Sequence, residues 1–146
     1  MITRLYFAYG ANLDREAMRA RAPEALFIGA GRIRGWRVIL TKSGYASIEP
    51  WSAGRVEGAV WEIQESDETA LDEFEEIRHD LYVKRELTVE TESGAKPVLV
   101  YIESGRVERN EANESDPEYL QNIILAAESL GLSESYLAEL RALRSK

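Results

Sequence analysis

The chain has 146 residues, 45% hydrophobic and 30% charged, a composition typical of one globular domain spanning residues 1–146. Its formal net charge of −8 argues against nucleic acid or an anionic membrane surface as a partner, because both attract basic proteins. The absence of cysteine excludes disulfides, thiol catalysis and thiolate metal ligands, and it fits a cytoplasmic location. No stretch approaches the roughly 20 apolar residues that a membrane span needs.

The N-terminal segment LYFAYGANL predicts a strand over residues 4–9, then a turn, then a short helix over Asp14–Arg21 that Asn12 or Asp14 caps. A turn between a strand and a helix exposes backbone N–H groups. Gly10 has no side chain to obstruct a ligand, and it can take a positive φ. The turn therefore suits a bound carboxylate or an oxygen that gains charge, although a tight turn with a conformationally required glycine is the plainer interpretation.

The middle of the chain is dominated by strand patterns. Gly29, Gly31 and Gly35 divide residues 26–41 into one bent strand or two joined strands, and Ser93-Gly94 predicts a hairpin turn. About six strands are predicted in all, over residues 4–9, 26–41, 46–49, 56–63, 82–91 and 96–103. Because regular helices do not separate them, we expect an α+β fold: a small mixed β-barrel or a strongly curved sheet with peripheral helices.

Three further helices are predicted. One covers residues 67–78 with Ser66 as its cap, and a second opens at Asp116-Pro117 and stops at Gly131. The third runs from Ser133 to the C-terminus. Residues 104–116 are polar and predict a surface loop.

The first of these helices contains the acidic stretch LDEFEE. Helical periodicity places Leu71, Phe74 and Ile77 on one inward face, with Glu73 and Glu75 on its two borders. A partly buried carboxylate beside other acids is suited to accept and return protons near neutral pH. Periodicity does not choose between Glu73 and Glu75, and a solvated acidic face is the alternative interpretation.

These motifs together resemble the γ-glutamylcyclotransferase family. The resemblance rests on YFAYGANL, GAVWEI, LDEFEE with the later Tyr82, and the C-terminal DPEYLQNIILAAESLGLSESYLAELRAL, and it runs from about Leu5 to Leu143. It implies a compact barrel fold with a cavity at its mouth and a chemistry without cofactor or metal. In that chemistry the α-amine of a γ-glutamyl group attacks its own γ-carbonyl and releases 5-oxoproline and an amine or amino acid.

The resemblance also implies roles for individual residues. Glu75 matches the family's catalytic carboxylate and is expected to move a proton from the α-amine to the leaving amine. The backbone of the loop Tyr9, Gly10, Ala11, Asn12 and Leu13 is expected to bind the substrate. Substrate contacts are also expected from three tyrosines, Tyr82, Tyr101 and Tyr119.

Two positions depart from the family pattern. Ala11 stands where the family often has serine, which removes a hydroxyl donor and keeps the backbone donors. Glu76 stands where glycine is common, which either narrows the pocket or favours a cationic substrate. The chemistry stays the expected one, while the identity of the γ-glutamyl substrate is left open.

Other functional classes receive less support from the residues. His79 is the only histidine, and its place near a helix end suits its charge better than a metal site does. A non-catalytic module that binds a small metabolite on the same fold is the alternative to an enzyme. The expected partner is a small γ-glutamyl substrate, and a homodimer is one possible oligomeric state.

Overall fold

A computed structural model describes residues 3–41, 45–74, 82–103 and 117–143. The strands in these ranges are β1 (Thr3–Ala8), β2 (Leu26–Leu40), β3 (Ala46–Gln64), β4 (Tyr82–Thr91) and β5 (Gly94–Glu103). The α-helices are α1 (Arg15–Arg21), α2 (Glu65–Phe74), α3 (Pro117–Leu130) and α4 (Glu134–Ala142). A 3₁₀ turn, Ala11–Leu13, joins β1 to α1.

The strands form a closed barrel in the order β1-β3-β2-β4-β5. Neighbouring strands are antiparallel, except that β1 closes the barrel against β5 in parallel at Tyr6 and Leu99. The predicted α+β fold is thus confirmed, and the sheet takes the form of a mixed barrel. Closure brings the end of β1 beside the end of β5, although 90 or more residues separate them in the chain.

The prediction of two separate strands over residues 46–49 and 56–63 is wrong, because β3 is one strand of 19 residues. It pairs with β2 from Leu40 opposite Ala46 to Leu26 opposite Glu62. The polar interruption that suggested a loop is a large bulge, in which residues 51–54 stand opposite Gly35 alone. Five described strands therefore replace the six expected ones.

Local capping interactions fix the helix starts. The Asp14 and Ser133 side chains accept backbone N–H groups at the starts of α1 and α4. The prediction that Ser66 caps α2 is wrong, since the helix already begins at Glu65. There the Asp67 carboxylate accepts the Gln64 N–H at 2.9 Å, reaching back to the residue before the helix.

The core is one cluster of buried side chains from the barrel strands and the helices, including Phe7, Ile33, Val60, Leu71 and Leu140. Helices α3 and α4 pack against the barrel. The open end of the barrel lies between the turn that follows β1, the end of α2 and the start of α3. None of the helices in the described ranges is long and apolar enough to cross a membrane.

Candidate active site

A cavity of about 540 Å³ opens at the barrel mouth. It is lined by six of the seven tyrosines of the chain, which come from five different segments: Tyr6, Tyr9, Tyr45, Tyr82, Tyr101 and Tyr119. Their rings supply apolar walls, and their hydroxyl groups supply hydrogen-bonding capacity at defined points. This combination suits a small ligand that carries both methylene and polar groups.

The Gly10 turn forms one wall of this cavity. Gly10, Ala11 and Asn12 line it, and the Leu13 N–H donates to the Gly10 carbonyl at 2.9 Å. The φ of Gly10 is −111°, so a positive φ does not explain this glycine. A Cβ there would lie 3.5 Å from the Tyr119 hydroxyl and 3.6 Å from Ala46 Cβ. The missing side chain therefore keeps space open between the turn and the opposite wall.

Arg21 supplies a positive charge to the same side of the cavity. Its Nη1 donates to Asn12 Oδ1 at 2.6 Å, while Asn12 Nδ2 donates to the Tyr6 hydroxyl at 3.2 Å. The guanidinium also lies 3.6 Å from the centroid of the Phe74 ring. The sequence analysis did not predict Arg21 as a site residue. A basic residue in the last turn of a helix is favourable there because of the helix dipole, so it gives no separate signal of function.

Phe74 differs from its predicted inward position, since it is 39% exposed and lines the cavity beneath Arg21. Leu71, one helical turn earlier, is fully buried as predicted. Glu73 lines the cavity from the same end of α2. Glu75, the carboxylate favoured by the family resemblance, lies outside the described residues, as do Glu76, His79 and the predicted loop over 104–116.

Tyr101 is tied to α2 by a chain of polar contacts. Its hydroxyl donates to Asp72 Oδ1 at 2.7 Å, and the Lys84 ammonium donates to Asp72 Oδ2 at 3.1 Å. Lys84 also contacts Glu68 at 2.7 Å. Burial first, and then the bond to Asp72, raise the pKa of Tyr101, so this phenol stays protonated near neutral pH. Asp72 therefore fixes the end of α2 against β4 and β5 at the cavity wall.

Tyr82 and Tyr119 both bind the backbone of Ala46, the first residue of β3. The Tyr82 hydroxyl donates to the Ala46 carbonyl at 2.9 Å, and the Ala46 N–H donates to the Tyr119 hydroxyl at 2.9 Å. The Tyr9 hydroxyl donates to the Tyr101 carbonyl in the same way, from side chain to backbone. These bonds orient each ring at the cavity wall.

Glu103 adds a carboxylate to the cavity wall at the end of β5. It is 9% exposed, its N–H donates to Ser47 Oγ at 2.9 Å, and it pairs with Tyr82 across the β4–β5 ladder. Sequence reasoning missed it. A signal was present, since Glu103 follows Tyr101 by two residues in VLVYIE, at a same-face position where a strand facing the core would carry an apolar residue.

The structure thus brings together seven of the predicted substrate-binding residues, which all line the cavity: Tyr9, Gly10, Ala11, Asn12, Tyr82, Tyr101 and Tyr119. Leu13 differs from the expectation. Its side chain is fully buried in the core, outside the cavity lining, and its N–H is engaged inside the turn. The substrate contacts themselves stay predictions.

Comparison with known proteins gives consistent matches. A family model described as gamma-glutamyl cyclotransferase, AIG2-like, matches residues 6–121. The chain is 28% identical to the gamma-glutamylcyclotransferase of Bos taurus and 29% identical to that of Homo sapiens, and each alignment covers 95% of this chain and 78% of the relative. A solved structure of a gamma-glutamyl cyclotransferase is similar at a TM-score of 0.88 with 28% identity, over 97% of this chain and 88% of the other.

Proposed function

The chain belongs to the AIG2-like gamma-glutamyl cyclotransferase family, and we propose that it releases 5-oxoproline from a γ-glutamyl amine or γ-glutamyl amino acid. The α-amine nitrogen attacks the γ-carbonyl carbon, a bond forms between them, and the bond to the leaving amine breaks. The observation that carries this proposal is the shared cavity: the Gly10 turn and the end of α2 line it together. A turn that offers amide donors and a helix that offers carboxylates are the two components this reaction requires.

Orientation and proton transfer are the tasks left to the protein, because closure of a five-membered ring is intramolecular. In the proposed mechanism a glutamate takes the proton from the α-amine and returns it to the leaving nitrogen. We assign this role to Glu75, which follows the cavity-lining Phe74 directly in the chain. The backbone N–H groups of Gly10, Ala11 and Asn12 are the donors proposed for the γ-carbonyl oxygen as it becomes negative.

The α-carboxylate of the γ-glutamyl group needs a partner of opposite charge. Arg21 fits this role, because it lines the cavity beside the Gly10 turn and a guanidinium has five N–H donors. Its contacts with Asn12 and Phe74 hold the side chain in position. The proposed γ-glutamyl position therefore lies between Arg21, the turn and α2.

The experiment measures 5-oxoproline released from a panel of γ-glutamyl amino acids and amines. We expect Glu75→Gln to lower kcat by at least about a hundredfold with binding largely retained, since general acid–base catalysis contributes about 10²–10⁴-fold. Glu73→Gln is the matched control, because Glu73 precedes Glu75 by two residues in the chain and lines the cavity. The larger loss in Glu73→Gln would transfer the catalytic role to Glu73. No turnover of any panel member by the wild type would contradict the enzyme and favour a metabolite-binding module.

A further inference from the structure

Tyr101 connects the cavity to the Asp72 carboxylate of α2. The tyrosine lines the cavity, and its hydroxyl donates to Asp72 Oδ1 at 2.7 Å. Asp72 lies outside the lining that the described residues form. A ligand in the cavity is therefore linked to this carboxylate through the phenol of Tyr101.

Asp72 is held in place on its other side by a cation. The Lys84 ammonium donates to Asp72 Oδ2 at 3.1 Å and to Glu68 at 2.7 Å, and Arg4 contacts Glu68 in turn at 3.3 Å. Two carboxylates of α2 thus meet one cation of β4 and one of β1. The Asp72 carboxylate is fixed between the ammonium of Lys84 and the phenol of Tyr101.

This arrangement determines which kind of hydrogen bond Tyr101 can offer to a ligand. A phenol has a single proton, and that of Tyr101 is donated to Asp72. Burial and this hydrogen bond raise the pKa of Tyr101, so the proton stays on the phenol near neutral pH. Any further hydrogen bond to the Tyr101 oxygen must then be one that it accepts.

The γ-glutamyl group has one polar group that needs such an acceptor. Its α-carboxylate and γ-carbonyl oxygen both accept hydrogen bonds, and Arg21 and the Gly10 turn are the donors proposed for them. Its α-amine is the donor. After it has lost one proton, the amine keeps two N–H groups and must direct its lone pair at the γ-carbonyl carbon. A neutral oxygen that accepts one N–H fixes this direction, and it favours the unreactive ammonium form less than a carboxylate in its place would.

We infer that the Tyr101 oxygen accepts an N–H of the α-amine, and that Asp72 is the positioning residue that makes this phenol an acceptor. The inference rests on the proposed cyclotransferase function and adds to it the residues that orient the attacking nitrogen. That nitrogen becomes the ring N–H of 5-oxoproline. The same hydrogen bond therefore holds the product, and binding of the product measures it without turnover.

The first experiment compares two ring compounds by NMR titration. One is 5-oxoproline, and the other is the lactone 5-oxotetrahydrofuran-2-carboxylate, which has a ring oxygen in place of the N–H. We expect the wild type to bind 5-oxoproline about tenfold or more tightly, because the lactone oxygen would face the Tyr101 oxygen with no proton between them. Tyr101→Phe removes the acceptor, and Asp72→Ala frees the phenol proton for the lactone. Each variant should bring the ratio to within about threefold.

The second experiment tests whether Asp72 acts through Tyr101. We expect Asp72→Ala and Tyr101→Phe each to lower kcat/KM for 5-oxoproline release by about tenfold, and the double variant to lose no more than either single variant. If Asp72→Ala does not fold, Asp72→Asn replaces it. The amide keeps the volume of the side chain but has one acceptor oxygen for two donors, so it should reduce the ring-compound ratio in part.

Glu68→Ala is the matched control for Asp72→Ala. Glu68 precedes Asp72 by one turn of α2 and also binds Lys84, whereas the Tyr101 hydroxyl donates to Asp72. This variant should lower stability in denaturation, because it removes the contacts with Lys84 and Arg4. It should keep the wild-type ring-compound ratio and kcat/KM to within about twofold.

The outcomes that contradict the inference differ from those that contradict the proposed function. Equal binding of the two ring compounds by the wild type, or a wild-type ratio in Tyr101→Phe, would overturn the acceptor role of Tyr101. Losses that multiply in the double variant, or a wild-type ratio in the Asp72 variants, would overturn the positioning role of Asp72. Absence of 5-oxoproline release from the whole substrate panel would instead overturn the proposed function.

Discussion

Glu57 and Glu103 are the two described glutamates that are nearly buried, each 9% exposed, yet they lie in opposite kinds of surroundings. Glu57 accepts hydrogen bonds from the Ser133 N–H at 2.9 Å, the Ser133 hydroxyl at 2.6 Å and Arg55 Nε at 2.8 Å. These donors fasten the start of α4 to β3. Glu103 lines the cavity. Burial alone therefore does not distinguish a carboxylate that joins two elements of the fold from one that lines the cavity.

The pKa of Glu57 agrees with a structural role. Burial acts to raise the pKa, but the Ser133 donors and the charge of Arg55 outweigh it and hold the pKa below its ordinary value of 4.5. Arg55 also contacts Glu139 and donates to Ser135 Oγ at 2.7 Å, so the polar groups of this cluster bind one another and join β3 to α4. We therefore expect the cluster to contribute to stability and not to substrate binding.

The largest effect on stability is expected from replacing Glu57, the carboxylate that joins β3 to α4. Glu57→Gln should lower the free energy of unfolding by about 2–3 kcal/mol, because it leaves Arg55 without one charged partner in a mostly buried position. It should leave kcat/KM for the release of 5-oxoproline from γ-glutamyl substrates unchanged, because Glu57 is outside the cavity lining. Chemical denaturation and the 5-oxoproline assay measure the two quantities. A clear change in kcat/KM would contradict a purely structural role for Glu57.

Gly58 and Gly10 differ in how much space is available for a side chain. A Cβ on Gly58 would lie 2.2 Å from the Ala8 carbonyl oxygen and 2.8 Å from Phe7 Cζ, whereas a Cβ on Gly10 would meet its neighbours only at ordinary contact distances. Gly58→Ala should therefore lower the free energy of unfolding by about 2 kcal/mol. Gly10→Ala should lower it by less and should raise KM, because the added methyl group occupies cavity space.

Denaturation and steady-state kinetics of both variants provide the measurements. An equal loss of stability in the two variants, with KM unchanged in Gly10→Ala, would show that Gly10 is a packing residue like Gly58. The turn would then lose its proposed role in keeping the cavity open.

The smallest expected effect is in the pH dependence of stability. At neutral pH Glu57 is ionised in both states, and its stabilising contribution is fully present because its folded pKa is the lower one. Below pH 4.5 the unfolded chain binds a proton first, so the contribution declines until the folded carboxylate is protonated as well. The stability difference between wild type and Glu57→Gln should therefore narrow as the pH falls below 4.5 in acid denaturation series. A difference that widens there would contradict the lowered pKa.

Local signals in the sequence predicted the elements around the site with few errors. The cap at Asp14, the helix stop at Gly131 and the hairpin at Ser93-Gly94 each depend on hydrogen bonds between residues a few positions apart. The strand before Gly10 was predicted from its apolar and aromatic residues, although its hydrogen bonds are made to the distant strands β3 and β5. The continuity of β3 was missed, because the polar residues 51–54 read locally as a loop and only the pairing with β2 on both sides of them makes β3 one strand. The predicted cap at Ser66 failed for a local reason, since Asp67 competes for the same helix start.

By itself the sequence determined the α+β class with a small barrel or strongly curved sheet, the Gly10 turn and most of the tyrosines at the cavity, through strand patterns, turn residues and a family resemblance. Only the tertiary structure decided that Arg21 and Glu103 line the cavity and that the phenol protons of Tyr82 and Tyr101 are already engaged. The physical reason is sequence distance. The direction of a side chain at the barrel mouth depends on strand register and barrel closure, which join residues that can lie 90 or more positions apart.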